Sequence, residues 1–131
     1  MSIYLDYSAS APILPEVLET MTDIYTNTPG NAESRTHIYG RNAQKAVQAA
    51  RSTISSVLAV DPSEIIFTSG STESNNTVIL GIEEYARTNN KMHIVTTAIE
   101  HKSVLQPLRH LETKGFKVEY VKPDKSGRID A

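Results

Sequence analysis

The sequence has 131 residues, of which 39% are hydrophobic and 21% charged, and its formal net charge of −2 argues against direct binding to a nucleic acid. It contains no cysteine, which excludes disulfides, thiolate metal sites and a cysteine nucleophile within these residues, and we expect no metal site. Because it has neither an apolar run of ~18–20 residues nor a secretory signal pattern at its start, we expect a cytoplasmic protein without membrane contact.

Apolar periodicity predicts two helices in the first half of the chain. Residues 3–5 form a short apolar run, which we expect to be a brief strand or an extended arm. Pro15 is tolerated in the first turn of a helix, and apolar residues at three- and four-residue spacing continue that helix to about Asn27. A polar loop follows at 28–37, and residues 38–59 form the longest amphipathic segment.

The second half alternates between strand and helix patterns. We expect strands at 64–68, 93–97 and 116–121, helices at 71–88 and 101–114, and a turn at 123–127. Apolar residues mark one face of each helix: Val78, Ile79, Ile82 and Tyr85 in the first, and Val104, Leu105, Leu108 and Leu111 in the second. This order makes two consecutive βαβ units, so the predicted fold class is α/β with a mainly parallel sheet and flanking helices.

A small polar turn joins the first of these strands to its helix. Gly70, Ser71 and Thr72 lie where the helix begins, so backbone N–H groups, hydroxyls and the positive end of the helix dipole are expected to face outward together. That combination suits a phosphate group. An ordinary strand-to-helix turn with a serine cap explains the same residues, and local chemistry alone favours this simpler interpretation.

A second polar turn, at 97–101, follows the next strand. Because the carboxyl ends of parallel strands meet at one edge of a sheet, we expect this turn and the turn at 68–72 to share a ligand. His101 lies at the end of the second turn. A single histidine is more often a surface or capping residue, but this position favours a functional role.

Four segments in order, at 4–9, 30–40, 67–76 and 97–104, resemble the cysteine desulfurases of the NifS/IscS type. These enzymes belong to the class V aminotransferase group of fold-type I pyridoxal-phosphate enzymes. The resemblance extends over the whole chain but over only about the first third of such an enzyme. It implies part of the three-layer fold of that group.

The resemblance assigns roles to the two turns. Gly70, Ser71 and Thr72 match the positions that bind the phosphate of pyridoxal 5′-phosphate, and His101 matches the catalytic histidine that stacks on the cofactor ring. Glu73 is expected to complement the helix dipole and to point away from the ligand. The lysine that binds the cofactor covalently, the aspartate that pairs with its ring nitrogen and the cysteine that accepts sulfur match no residue of this chain.

The resemblance also implies an organisation and a set of partners. Residues 1–27 correspond to an N-terminal arm and helix, and residues 28–131 to the first part of the cofactor-binding large domain, incomplete at its C-terminus. The complete enzyme is expected to be a homodimer. It converts L-cysteine to L-alanine and an enzyme-bound persulfide, which a sulfur-acceptor protein receives for iron–sulfur cluster assembly or other sulfur transfer.

Because the covalent lysine and the sulfur-accepting cysteine have no counterpart here, we expect these 131 residues alone to be inactive. Two alternatives stay open on the sequence. One is a related class V enzyme, a selenocysteine lyase or an aminotransferase. The other is a naturally short, non-catalytic protein that serves in binding or assembly.

Overall fold

A computed structural model describes residues 3–130 of the chain. Met1, Ser2 and Ala131, which fall within the predicted domain ranges 1–27 and 28–131, lie outside the described residues. The chain divides into two compact units, Met1–Ile66 and Phe67–Ala131.

The first unit contains the two expected helices, α1 (Pro15–Asn27) and α2 (Ile38–Leu58), followed by a short 3-10 turn at Pro62–Glu64. Proline occupies the first turn of α1, as expected. Residues 3–5 form no strand among the described residues. No residue of α1 is buried, so its apolar face, although present, is uncovered.

His37 caps the start of α2. Its Nδ1 accepts the backbone N–H of Gly40 at 3.1 Å, which is the simple role that a histidine before a helix often has. At the other end Ala59 adopts a left-handed conformation (φ 54°), and the N–H of Val60 donates to the carbonyl of Ser55 at 3.0 Å. This pattern ends a helix by satisfying its last carbonyl groups.

The second unit contains helices α3 (Ser71–Gly81), α4 (Glu83–Thr88) and α5 (Lys102–Thr113) and strands β1 (His93–Thr97) and β2 (Lys117–Val121). The strands pair in parallel, with Ile94 opposite Val118, and α5 is the crossover between them. The expected βαβ unit at 93–121 is therefore confirmed. Asp124 closes the expected turn after β2 by accepting the N–H groups of Ser126 and Arg128.

Two expectations for this half were wrong. Residues 65–68 form no strand in the described structure, so the described sheet has two strands and only one βαβ unit forms. An extended segment becomes a strand only when a neighbour takes its hydrogen bonds. The helix expected at 71–88 is interrupted at Ile82, whose ψ of −8° departs from helical geometry directly after the weak helix former Gly81.

The core of the second unit lies between its helices and its sheet. Ala86, Leu111 and Phe116 are its buried members, and Ile79, Met92, Ile94 and Val118 pack against them. Leu108 and Leu111 of α5 are buried as their spacing predicts. Of the predicted face of the α3–α4 segment, Ile79 packs against the core as expected, whereas Val78 and Tyr85 are 65% and 58% exposed and Ala86 is buried.

Between residues 3 and 130 no helix is both long and apolar enough to cross a membrane. Over the same range no three histidine, cysteine or acidic side chains cluster as metal ligands would.

Candidate cofactor site

The N-terminus of α3 carries no capping side chain. Gly70 occupies the N-cap position, and its carbonyl accepts the N–H of Ser74 at 3.1 Å. The hydroxyls of Thr68 and Ser74 contact each other at 2.7 Å and each lie 3.3 Å from the same carbonyl. By comparison, the N–H groups and hydroxyls of Ser71 and Thr72 are exposed and have no partner in the part of the chain that the structure describes.

Glu73, in the first turn of α3, is held by the residue that precedes the N-cap. Its Oε2 accepts the backbone N–H of Ser69 at 2.7 Å and the Ser69 hydroxyl at 2.6 Å. These two hydrogen bonds, the hydroxyl first, hold the pKa of the Glu73 carboxyl below its usual value. The carboxylate is thus occupied within the turn, and it leaves the donors of Ser71 and Thr72 free.

The Glu73 contact predicts a pH dependence of the turn. A carboxyl with a lowered pKa in the folded state stabilises the fold above its unfolded pKa, and this contribution is lost as the pH falls through the folded pKa. We therefore expect the amide of Ser69 to keep its chemical shift at neutral pH and to move as the pH falls below about 4.3, the ordinary pKa of glutamate.

This pH dependence can be measured by NMR. Glu73→Gln is expected to abolish the acid-induced shift of the Ser69 amide. Glu84→Gln is the matched control, because Glu84 is also a first-turn acid of a helix but its side chain makes no hydrogen bond in the described structure. A Ser69 amide in Glu73→Gln that still titrates as in the unmodified chain would contradict the assignment.

His101 caps the start of α5, four residues beyond the end of β1. Its Nδ1 accepts the backbone N–H of Ser103 at 3.2 Å and lies 2.9 Å from the Ser103 hydroxyl. The residue itself is exposed, and its Nε2 makes no hydrogen bond within residues 3–130. His101 is therefore a capping residue, and the ring nitrogen that does not cap is available to a ligand.

Two neighbouring asparagines join the starts of α3 and α5. Asn75 Nδ2 donates to the Ser103 hydroxyl at 2.8 Å. Asn76 Nδ2 donates to the carbonyl of Thr72 at 2.8 Å and lies 3.5 Å from the carbonyl of Ser103. The phosphate-type turn and His101 are thus linked through Ser103.

Pro107 explains why the Ser103 carbonyl is available. Proline inside a helix has no N–H, so the carbonyl four residues earlier loses its helical donor. In α5 that carbonyl belongs to Ser103, and Asn76 lies against it. The roles of Asn75, Asn76 and Ser103 were not predicted from the sequence, although two asparagines within a helix, where asparagine is a poor helix former, are a signal of side-chain hydrogen bonding.

The two turns therefore approach each other for a different reason from the one expected. The expected approach required a shared edge of a three-stranded sheet, but the strand at 64–68 does not form in the described structure. Packing of α3 on α5 and the two asparagines bring the helix starts together instead.

The residues at these helix starts fit pyridoxal 5′-phosphate. A helix N-terminus with unpaired N–H groups and positive partial charge suits the phosphate, and the hydroxyls of Ser71 and Thr72 supply further donors. The exposed imidazole of His101 suits a flat aromatic ring. Two other histidines lie elsewhere in this unit: His93 pairs with Glu119 across the two strands at 3.2 Å, and His110 lies exposed in the last turn of α5. His37 also caps a helix, but that helix is α2 of the first unit.

The chain is similar to known cysteine desulfurases. The chain is 47% identical over 130 residues to the cysteine desulfurase IscS of Rickettsia prowazekii (strain Madrid E), which covers 99% of this chain and 32% of that protein. It is also 47% identical over 128 residues to a cysteine desulfurase of Mus musculus, covering 98% of this chain and 28% of that protein. The chain thus spans about a third of the length of these curated relatives.

Solved structures support the fold. A structure described as a NifS-like protein matches 99% of this chain and 35% of its own at a TM-score of 0.85 and 40% identity. A structure described as SspA in complex with cysteine matches 98% of this chain and 37% of its own at a TM-score of 0.82 and 40% identity. The expected partial α/β fold of the pyridoxal-phosphate transferase type is thereby confirmed.

A family model described as aminotransferase class-V matches residues 3–131. The chain belongs to the class V aminotransferase family.

Proposed function

We propose that this chain forms the phosphate-binding and ring-contacting part of a pyridoxal-phosphate-dependent cysteine desulfurase. The observation that carries the proposal is the uncapped start of α3, linked through Asn75 and Ser103 to the imidazole of His101. The identity of 47% to cysteine desulfurases supports this activity over that of a selenocysteine lyase or an aminotransferase.

For the complete protein we propose the desulfuration of L-cysteine to L-alanine. The sulfur would pass to an enzyme-bound persulfide and then to an acceptor protein, for iron–sulfur clusters or another sulfur-containing product. Pyridoxal phosphate supplies the electron sink that such chemistry needs. The chain described here contributes binding and orientation, and having no cysteine it cannot itself carry the persulfide.

In this proposal Gly70, Ser71 and Thr72 bind the phosphate. Their N–H groups and the two hydroxyls donate to its oxygens, and the α3 dipole favours its negative charge. Glu73 adds a negative charge nearby, but its carboxylate is already taken by Ser69, so it does not compete for these donors.

His101 contacts the cofactor ring in this proposal. Because Nδ1 accepts the N–H of Ser103, a neutral imidazole carries its proton on Nε2. The outward nitrogen of His101 is therefore the one that holds a proton and can pass it on. We propose that this proton, with the ring contact, is what His101 contributes to catalysis.

The phosphate assignment is tested by replacing Thr72 with valine, which removes one hydroxyl donor at nearly constant volume. We expect pyridoxal 5′-phosphate, followed by amide NMR, to bind at least about tenfold more weakly, since a hydrogen bond to a charged group contributes about 1.5–3 kcal/mol. In the unmodified chain the largest shifts are expected at Gly70, Ser71 and Thr72.

Thr77→Val is the matched control for this titration. Thr77 is also an exposed threonine of α3, but it lies beyond the first turn. Its replacement should leave the affinity unchanged. Cofactor-induced shifts that avoid residues 70–72, or equal effects of the two substitutions, would contradict the phosphate site.

We also propose that the chain associates as a homodimer and that residues 28–131 belong to the large domain of the enzyme, after an arm and helix at 1–27. The uncovered apolar face of α1 supports association: Val17, Leu18, Met21 and Ile24 are 38–52% exposed. Contiguous apolar surface of this kind marks an interaction site. The cytoplasmic location stays a prediction.

Light scattering tests the dimer. We expect twice the chain mass at high concentration, and Leu18→Asp should shift the equilibrium toward monomer because it places a charge on the apolar face. Glu19→Gln, at the next position of the same helix, should have no effect. An unmodified chain that stays monomeric over the whole concentration range would rule out association through this face.

A further inference from the structure

The hydroxyl of Ser103 lies between the side chains of Asn75 and His101, and Ser103 is almost fully buried. Ser103 is only 5% exposed. Its Oγ is 2.8 Å from Asn75 Nδ2 and 2.9 Å from His101 Nδ1. A buried polar group of this kind is costly unless every hydrogen bond is made, so its partners constrain one another.

The donors and acceptors in this chain of contacts have only one consistent arrangement. The backbone N–H of Ser103 can only donate, so His101 Nδ1, 3.2 Å away, accepts from it and carries no proton. The Ser103 hydroxyl therefore also donates to Nδ1, and the Ser103 oxygen accepts from Asn75 Nδ2. Both donors require that Nδ1 carries no proton.

We propose that Ser103 and Asn75 are positioning residues that hold His101 in the tautomer with Nδ1 unprotonated and the proton on Nε2. Moving the proton to Nδ1 would break the contact to the Ser103 N–H and force the buried hydroxyl to turn away from its acceptor. The same contacts fix the orientation of the imidazole at the start of α5. The catalytic meaning of this tautomer rests on the function proposed above, whereas the tautomer itself is a property of the chain.

The inference is tested with histidine labelled with ¹⁵N, in the full chain without cofactor, at about pH 9, well above the ordinary histidine pKa of about 6.5. The ¹⁵N chemical shifts of the ring distinguish protonated from unprotonated nitrogens. For His101 we expect Nδ1 to be the unprotonated nitrogen and Nε2 the protonated one. The opposite assignment, or equal populations, would overturn the inference.

Ser103→Ala removes the hydroxyl donor but keeps the backbone N–H. We expect the tautomer ratio of His101 to move about two- to tenfold toward the Nδ1-protonated form, the effect of losing one neutral hydrogen bond. Ser103→Thr, which retains a hydroxyl, should restore the ratio. An unchanged ratio in Ser103→Ala would overturn the inference.

Asn75→Asp is a second variant that tests the tautomer, and this substitution leaves no cavity. The introduced carboxylate can only accept, so it takes the Ser103 hydroxyl proton and leaves the Ser103 oxygen as an acceptor facing Nδ1. We expect the ratio to move in the same direction as in Ser103→Ala. A His101 tautomer ratio in Asn75→Asp equal to that of the unmodified chain would also overturn the inference.

Ser55→Ala is the matched control for burial. Ser55 is 4% exposed and belongs to α2, where its hydroxyl donates to the carbonyl of Ser52 at 3.0 Å. Its replacement should leave the ¹⁵N shifts of His101 unchanged, and a shift as large as that of Ser103→Ala would show a non-specific effect and overturn the inference.

The two proposals fail in distinguishable ways. If pyridoxal 5′-phosphate leaves the amides of residues 70–72 unperturbed while the tautomer responds as expected, the cofactor function is wrong and the positioning role of Ser103 stands. If the cofactor binds at that turn but the tautomer ignores Ser103 and Asn75, only the positioning role is wrong.

Discussion

Replacing Leu111 with alanine is expected to lower the free energy of unfolding of the second unit by about 2–5 kcal/mol. Leu111 is fully buried, and it packs with Ala86 and Phe116 in the core cluster between the helices and the sheet. The substitution removes buried methyl groups and leaves a cavity that the surrounding side chains fill only in part. Urea denaturation, followed by NMR signals of residues 67–130, measures the loss.

Leu58→Ala removes the same atoms from an exposed site and is the matched control. Leu58 is the last residue of α2 and is 60% exposed, so we expect a change within about 0.5 kcal/mol. If the two substitutions cost the same, the cluster around Leu111 is not the core of the second unit.

Gly40→Ala is expected to destabilise the first unit by about 1–3 kcal/mol or more, because no space exists for a side chain. Gly40 is buried in the first turn of α2, and a Cβ there would lie 1.9 Å from the backbone carbonyl oxygen of Ser34. The loop at 28–37 would have to move away from the helix start. Urea denaturation should show a lower midpoint, with the largest NMR changes in that loop.

Gly81→Ala should have the opposite sign. Gly81 is also a helical glycine, but no atom lies within 4 Å of the position where its Cβ would be. Alanine is a better helix former than glycine by up to about 1 kcal/mol, so we expect a small gain in stability. Destabilisation of similar size by both substitutions would show that backbone contact at Gly40 is not the cause.

The candidate site was predictable in part. Local patterns of glycine and hydroxyl residues predict a helix start at Gly70, Ser71 and Thr72 and place a histidine after the next strand, and the resemblance gives these residues cofactor roles, which stay predictions. The roles of Asn75 and Ser103 were missed. Their hydrogen bond joins residues 28 positions apart, and no local pattern reports which side chains meet over that separation.

Local pattern by itself determined helices α1, α2 and α5, strands β1 and β2 and the turn at Asp124, since each follows from periodicity, capping residues or turn chemistry close in sequence. Tertiary structure decided whether residues 65–68 became a strand, because a strand needs the hydrogen bonds of a neighbour. It also decided which residues of the α3–α4 segment meet the core, where Ile79 and Ala86 pack while Val78 and Tyr85 stay exposed. The two turns of the site are joined by contacts between α3 and α5 rather than by a shared sheet edge. Tertiary packing determines which side chains of the two helices meet, and the local sequence does not.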